Sequence, residues 1–501
     1  MNDNKKNKQK NQSIETIIIN NDQEKHSLLS DDVPDATPEE NLVPEELPPD
    51  ISSPEDSINR DNNLNKELPQ IFQENKKQPL LIIAIVIIFL IFFIFIFRLI
   101  FSGKKTSQQV ILNYWGLWEE KEIFEPLIAN YQKKYPYVKI NYQKMESQNY
   151  REKLLVRSRN NQGPDIFRFH NTWLPQIKEI TSPIPNSIMS NDEFEKTFYK
   201  IHQKDLKVGD KYYGFPLSID GLVLVYNVNL FKKAGIDKPP ETWDELSNLV
   251  PKLTVKDIDG NIITAGIALG LAVNVEHFSD ILALMIYQNG GNIKELNSEE
   301  AAGALESYRK FSELPNRYWD ENMPNSLTAF IQEKVAMIFV PSWQILSIKS
   351  ANPEIEVKAV PVPSLPGASP VSIANYWIEG VSKMSQNQIE AWRFLRFLVE
   401  KDSLTQMYEL ASRTRLFGEP YSRVDLAPLL IQNNYLGAVI KQADYFVSAP
   451  AIYRTFDNGL NDEIIKYLEN AINATIEGVS YNEALMTAKK GVDQVFEKYK
   501  L

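Results

Sequence analysis

The chain of 501 residues contains no cysteine. Disulfides, thiolate nucleophiles, cysteine-based zinc sites and a lipid-modified cysteine at a mature N-terminus are therefore excluded. Histidine is also scarce, and the four that occur are too scattered to suggest a metal cluster: His26, His170, His202 and His277. The sequence has no phosphate-binding loop, nucleophile elbow or HExxH motif. We expect no cofactor, no metal and no enzyme activity.

The sequence also lacks basic segments of the kind that bind nucleic acid. Its formal net charge is −11, and residues 1–79 carry most of it, with 9 basic against 17 acidic residues. The same segment holds 8 of the 29 prolines and a single aromatic residue, Phe72. A stretch so acidic and so poor in large apolar groups cannot offset the entropy lost on ordering. We predict a disordered acidic tail at 1–79.

One long hydrophobic run follows the tail. Residues 80–101 are apolar except for Arg98, which lies near one end and can reach the lipid headgroups. A helix of this length spans about 33 Å, enough for the bilayer core. The run is too long, and begins too late, for a secretory signal peptide. It predicts a transmembrane helix at 80–101, followed by a linker at 102–107.

The charges around this run do not decide its orientation, because basic residues flank both ends: Lys76 and Lys77 before it, and Arg98, Lys104 and Lys105 after it or near its end. We place residues 1–79 in the cytoplasm and residues 108–501 outside the cell because of the function inferred below for the latter. We therefore expect a single-pass protein of the cell membrane that contacts lipid through residues 80–101.

After the linker, apolar runs alternate with helical patterns. A β-branched run at 109–118 leads into a helix, a strand at 137–142, a second helix at about 150–160 and a strand at 166–169. This order is typical of an α/β fold with a parallel sheet, in which ligands bind at the carboxyl ends of the strands. The corresponding strand ends are 114–119 and 169–173.

Two segments look like connections between domains. The run from Phe215 to Asn227 is long for one strand and has Gly221 in its middle, as expected of a strand that leaves one domain and enters another. A second candidate is 360–367. Between them lies a predicted hairpin at 207–214, and the last hundred residues are predicted to be mostly helical.

Several short motifs occur in an order that resembles the family 1 extracellular solute-binding proteins, the group that includes the maltose-binding protein. The resemblance covers about 108–501. It is carried by Gly163-Pro164-Asp165-Ile166, Tyr213-Gly214-Phe215-Pro216, Tyr226-Asn227, Ala234-Gly235-Ile236, Pro239-Pro240-Glu241-Thr242-Trp243-Asp244-Glu245-Leu246, Gln288-Asn289-Gly290-Gly291, Val335-Ala336-Met337 and Ala391-Trp392-Arg393-Phe394-Leu395. The chain departs from the family in having Glu333-Lys334 before Val335 and in lacking the lipid-modified cysteine.

The resemblance implies a two-lobed α/β structure, the type II periplasmic-binding-protein fold, that closes around its ligand by hinge motion. The expected lobes are about 108–219 with 362–405, and about 222–360 with 406–501. It also implies that the protein is the binding protein of an ABC importer, with permease subunits as partners and a sugar or oligosaccharide as the expected ligand. A non-transport receptor or adhesin is the alternative, and a tethered glycan-active enzyme is a further one, since two catalytic carboxylates leave no sequence signature.

A sugar site needs aromatic faces for C–H groups and polar groups for hydroxyls. Trp118 with Glu119 ends the first strand, and Trp343 follows a strand at the position where the family stacks an aromatic ring on sugar. Trp377 begins a returning strand, although core packing would explain it equally well. These three tryptophans are candidates, whereas Trp173, Trp243 and Trp392 are expected to pack in the core.

Two polar residues complete the candidate site. Asp220, on the crossing strand, falls where the resemblance places a sugar-binding carboxylate, and a turn aspartate before Gly221 is the alternative. Asn171 ends a strand and is equally consistent with ligand contact or with a supporting role. The expected ligand-binding residues are therefore Trp118, Glu119, Asn171, Asp220, Trp343 and Trp377, and no catalytic residue is expected.

Overall fold

The computed structural model describes residues 86–94, 96 and 109–501. The predicted tail at 1–79, the linker at 102–107 and the rest of the predicted membrane segment lie outside these residues. The described part of 80–101 is helical. Within the described residues, none of the helices combines the length and the apolar character needed to cross a membrane.

The segment from residue 108 onward forms a compact unit of strands and helices. Its strands are β1 (Val110–Gly116), β2 (Val138–Lys144), β3 (Ile166–His170), β4 (Lys207–Val208), β5 (Lys211–Tyr212), β6 (Phe215–Pro216), β7 (Leu222–Asn227), β8 (Val255–Lys256), β9 (Ile262–Ile267), β10 (Val335–Pro341), β11 (Val357–Val360), β12 (Ser372–Ile373), β13 (Trp377–Val381) and β14 (Phe446–Val447).

The α-helices are α1 (Lys121–Lys134), α2 (Tyr150–Arg159), α3 (Leu174–Ile177), α4 (Asn191–Thr197), α5 (Lys200–Leu206), α6 (Val228–Lys233), α7 (Trp243–Leu253), α8 (Phe278–Gln288), α9 (Glu299–Arg309), α10 (Ser326–Ile331), α11 (Gln344–Ala351), α12 (Gln388–Leu398), α13 (Lys401–Ser412), α14 (Gly437–Gln442), α15 (Leu460–Ile476) and α16 (Tyr481–Tyr499).

Two five-stranded sheets organise the fold. The first has the order β2-β1-β3-β13-β6, and the second has the order β11-β7-β10-β9-β8. In the first sheet β1 pairs in parallel with β2 and β3, as predicted, while β13 returns antiparallel to β3. We call the halves built on these sheets the first lobe and the second lobe. The predicted α/β fold with two lobes agrees with this topology.

Local sequence explains several elements. In α1 the apolar residues Ile123, Leu127 and Ile128 are buried on one face at helical spacing. Thr242 caps helix α7: its hydroxyl accepts from the Glu245 amide at 3.2 Å, and the Glu245 carboxylate accepts from the Glu241 amide at 2.7 Å. The first bond satisfies an amide that the first helical turn leaves without a partner, and the second fixes the chain just before the helix.

The lobes are joined where the sequence predicted crossings. Residues 217–221 lead from β6 in the first sheet to β7 in the second, and residues 361–376 lead back from β11 to β13. Strand β12, in the second connection, pairs with β14. Gly221 forms an isolated bridge with Ala374, so the two connections lie side by side.

The C-terminal elements divide between the lobes. Helix α13 packs against α1 in the first lobe, α14 packs against β7 and β11 in the second, and α15 and α16 pack against α8 and α9. The predicted boundary near 405 falls inside α13, which is one continuous helix. The exact lobe limits stay a prediction.

We expect Gly221→Ala to lower the free energy of unfolding by about 1–3 kcal/mol, the usual range for overpacking. A Cβ at Gly221 would overlap the Ile373 carbonyl oxygen and the Phe446 ring. Denaturant unfolding measures the effect. Gly303→Ala in α9 is the matched control, since its Cβ would meet only the Asn289 amide nitrogen, at 3.3 Å. Equal stability changes for the two variants would contradict close packing at the crossing.

Candidate functional site

An aromatic cluster lies at one edge of the first sheet. The carboxyl ends of β1 and β3 meet the start of β13 there, and Trp377 lies opposite His170 in the register. The Trp377 ring centroid lies 5.4 Å from that of Trp118, 5.2 Å from that of Trp173 and 5.1 Å from that of His170. Trp118 is 38% exposed, whereas Trp173 is fully buried, as predicted. The structure therefore brings Trp118 and Trp377 together, with Trp173 beneath them.

Buried charges lie next to this cluster. The Arg168 guanidinium is held between Glu119 and Glu379, with a contact to Glu119 and an Nε-to-Oε1 distance of 2.6 Å to Glu379. All three side chains are almost fully buried, and burial raises the pKa of Glu379. Removing one partner of such a group leaves an unpaired buried charge, which is strongly destabilising. The Glu119 carboxylate thus contacts Arg168. A contact between Glu119 and the ligand stays a prediction.

Asn171 is buried in a polar cluster of the first lobe. Its amide nitrogen donates to Ser448 Oγ at 2.8 Å and to Asp205 Oδ2 at 3.2 Å. The same Asp205 oxygen accepts from the Tyr376 hydroxyl at 2.6 Å, and burial raises the pKa of Asp205 to about 6. These bonds give Asn171 a structural role, since they hold together the segments around β13. A contact between Asn171 and the ligand stays a prediction.

Asp220 lies in the first connection, and its carboxylate is bonded to the second lobe. Oδ1 accepts from the amides of Gly221 at 2.7 Å and Ser342 at 3.2 Å, and Oδ2 accepts from Ser342 Oγ at 2.9 Å and the Trp343 amide at 3.2 Å. A carboxylate offers about four acceptor positions, so these four bonds occupy it. Burial raises the pKa of Asp220 to about 7, against the opposing effect of its hydrogen bonds. In this conformation Asp220 fixes the segment that carries Trp343, and its predicted ligand contact is untested.

Trp343 lies in the second lobe, at the end of β10 and the start of α11, and its side chain is half-buried. Its ring centroid lies 6.3 Å from that of His277, which in turn lies 5.4 Å from that of Tyr453. His277 Nε2 is 2.9 Å from Gln344 Oε1. This group forms the aromatic surface of the second lobe near the crossing.

Sequence reasoning missed the loop at 453–456, which approaches both lobes. The Tyr453 amide donates to Asp280 at 3.0 Å and Arg454 pairs with Glu276 at 2.7 Å, both in the second lobe. The Phe456 ring centroid lies 6.1 Å from that of Trp118 in the first lobe. The prediction of a mostly helical C-terminal part overlooked this loop, although Pro450 and Gly459 bracket it and disfavour helix.

The loop backbone is held in an uncommon conformation. Arg454, Phe456 and Asn458 have φ values of 60°, 54° and 41°, in the left-handed region that non-glycine residues rarely adopt. Asp457 anchors it: Oδ2 accepts from Gln176 Nε2 at 3.0 Å and from the Asn461 amide at 2.9 Å. Such residues persist only where surrounding contacts over-determine them. The contacts of Asp457 supply that constraint.

A buried chain of hydrogen bonds runs behind the cluster. Asn461 Nδ2 donates to Thr172 Oγ1 at 2.7 Å, Thr172 Oγ1 is 2.9 Å from His170 Nδ1, and His170 Nε2 is 3.2 Å from Asn375 Oδ1. One neutral tautomer satisfies every group, since Thr172 then donates to Nδ1 and Nε2–H donates to Asn375. Burial lowers the pKa of His170 to about 4. The chain connects the start of α15 with the inter-lobe connections.

Comparison with known proteins gives the family. The model of the bacterial extracellular solute-binding proteins matches residues 116–404, more than half of the chain. The chain belongs to this family. Membership implies a location outside the cytoplasm, and the matched relatives are solute-binding proteins, not enzymes, as predicted.

Individual relatives are distant. The maltodextrin-binding protein of Bacillus subtilis is 23% identical over 322 residues, which cover 60% of this chain and 72% of that protein. An extracellular-binding protein of an ABC transporter from Pyrococcus horikoshii is 25% identical over 289 residues, 52% of this chain and 63% of that protein. A cyclo/maltodextrin-binding protein complexed with maltotetraose has a TM-score of 0.63 at 20% identity, covering 79% of this chain and 99% of that one. This likeness confirms the two-lobed fold of the solute-binding protein.

The low pKa of His170 predicts a specific pH dependence. The folded ring stays neutral down to about pH 4, whereas the unfolded ring binds a proton below its ordinary pKa of 6.5. The free energy of unfolding therefore decreases as the pH falls from 6.5 to 4, by about 1.4 kcal/mol per pH unit, because only the unfolded ring gains a proton in this range. Urea unfolding of the wild type and of His170→Gln across this range isolates the effect, because other titrating groups are common to both. Parallel stability curves would contradict the assignment.

Proposed function

We propose that this protein is a membrane-tethered receptor that binds a sugar or oligosaccharide between its two lobes and delivers it to an ABC importer. One observation carries the proposal. The loop at 453–456 lies between an exposed aromatic surface of the first lobe, Trp118 with Trp377, and an aromatic surface of the second lobe, Trp343 with His277.

The chemistry of these surfaces supports a sugar ligand. Trp118 presents part of its ring to solvent, and an exposed indole beside other rings suits the apolar C–H face of a pyranose. Arg454 of the loop, which pairs with the buried Glu276 of the second lobe, provides a partly exposed charged hydrogen-bonding group. Relatives with the same fold bind maltotetraose, mannotriose and α-D-tagatose.

The two connections support a hinge mechanism. Each lobe keeps its own sheet, and the segments at 217–221 and 361–376 pass between the two sheets, with a further passage between α13 and α14. A ligand that contacts both aromatic surfaces stabilises the closed arrangement relative to the open one. The stabilisation equals the difference between the ligand's binding free energies for the two states. Delivery to permease subunits then follows from recognition of the closed form.

Tethering rests on the hydrophobic run at 80–101. Since the sequence has no cysteine for lipid modification, this run is the segment suited to hold the receptor at the membrane. The family match supports a location of the binding domain outside the cytoplasm, and with one spanning segment the acidic tail at 1–79 would lie on the cytoplasmic side.

We expect Trp118→Ala to weaken sugar binding by about 1–3 kcal/mol, roughly fivefold to 150-fold, the scale of losing an aromatic anchor. Calorimetry on the detergent-solubilised full chain, with a panel that includes maltotetraose and mannotriose, measures it. Tyr445→Ala removes another ring, of 46% exposure, and is the control that should bind normally. Unchanged affinity in Trp118→Ala would remove this ring from the site. If the wild-type protein converts an added oligosaccharide into shorter sugars, the alternative of a glycan-active enzyme is favoured.

The proposed topology predicts that protease added to intact cells removes residues 108–501 and spares an N-terminal tag. The expected result follows from a single spanning segment with the binding domain outside. Immunoblots against tags at both ends measure it, and lysed cells serve as the control in which both tags are lost. A C-terminal tag protected in intact cells would contradict the importer proposal, because the receptor must lie on the side where the ligand is.

A further inference from the structure

A second cavity lies in the second lobe, apart from the aromatic surfaces described above. Its volume is about 410 Å³, and it is lined by α7, α8 and α9, by the segment after α9, and by Leu365 of the second connection. Pockets for small ligands commonly measure about 300–1,000 Å³, so this cavity is large enough for one. None of the residues that line it belongs to the inter-lobe candidate site.

The floor of the cavity is apolar and rigid. Trp243, Met285 and Phe311 contribute it, and each is more than nine-tenths buried. The Trp243 indole is fixed, because its Nε1–H donates to Gln288 Oε1 at 2.5 Å. Gln288 Nε2 donates in turn to the carbonyl oxygens of Pro363 and Val371 at 2.9 Å. A flat ring is thus held in place before any ligand binds.

The rim of the cavity is polar, and several of its side chains make no bond to other protein groups. It carries the side chains of Asp244, Ser247, Ser307, Asn316 and Tyr318. Within the described part of the chain, none of these five side chains has a hydrogen-bond or ion-pair partner. They offer donors and acceptors of several kinds around an apolar floor, which is the combination that a hydroxyl-rich ring requires.

Gly303 is an independent sign that the space is kept open. It lies inside α9, where glycine weakens a helix relative to alanine. A Cβ there would meet only the Asn289 amide nitrogen, at 3.3 Å, so close packing does not require glycine at this position. Gly303 and Ser307 are one helical turn apart and both line the cavity. Small residues at both positions leave the wall of the cavity concave.

We propose that this cavity is a second binding site, for a single pyranose or a similar small polyol, separate from the inter-lobe site. The proposal does not depend on the proposed function. A ligand of about a dozen non-hydrogen atoms in a half-open cavity binds with a dissociation constant on the order of 1–10 mM.

The test follows the methyl signal of Met285 by NMR in the full chain, labelled with methyl-¹³C methionine and solubilised in detergent. Only 9 methionines occur, and Met285→Leu identifies the relevant signal. Titration with the methyl α-glycosides of glucose, mannose and galactose should shift this signal saturably with at least one of them. Ser307→Leu, which fills the cavity from an exposed position, should weaken the response at least tenfold. Glu299→Leu, on the same helix but outside the cavity, should leave it unchanged.

The two sites are distinguished with Trp343→Ala. This variant should weaken oligosaccharide binding yet leave the Met285 response to methyl glycosides intact. Three results would overturn the proposal: a Met285 signal that does not move up to about 100 mM of any glycoside, a response that persists in Ser307→Leu, or a response lost in Trp343→Ala. Unfolding temperatures of the variants confirm that they remain folded.

Discussion

The four hydrogen bonds accepted by Asp220 fix the junction on which the arrangement of the two lobes depends. They tie the first connection to the amides that begin α11, where the positive end of a helix favours a carboxylate. Asp220 also accepts, through its carbonyl oxygen, from the Asn375 amide at 2.9 Å. Asp220 therefore holds together the first connection, the second connection and the segment that carries Trp343.

A second set of contacts acts at the other side of the site. Asp457 caps the start of α15, a helix that packs on the second lobe, and simultaneously accepts from Gln176 of the first lobe. Asp457 thus joins the two lobes at this side of the site, and the proposed opening of the lobes would have to break or stretch its bonds. The left-handed residues of the adjacent loop add about 1 kcal/mol or more of strain each, which the contacts of Asp457 offset.

The sequence predicted much of the local structure and the order of elements, although it missed the loop at 453–456. The spacing of Ile123, Leu127 and Ile128 predicted α1, and the long run around Gly221 predicted the crossing. The candidate site was harder to predict from the sequence, because its polar contacts join residues that are far apart in the chain. Glu119 is paired with Arg168, which is 49 residues further along the chain, and three of the four bonds to Asp220 come from Ser342 and Trp343, which are 122 and 123 residues away. Local patterns carry no information about such partners.

The loop at 453–456 has a consequence for how ligand preference can change during evolution. Its far end is anchored by Asp457 and its near end follows β14, so neither central sheet includes any of its residues. Insertions and exchanges between these anchors would alter the surface next to Trp118 and leave the hydrogen-bonded strands untouched. Related solute-binding proteins could diversify by exchanging this one segment, while the two sheets and their connections stay unchanged.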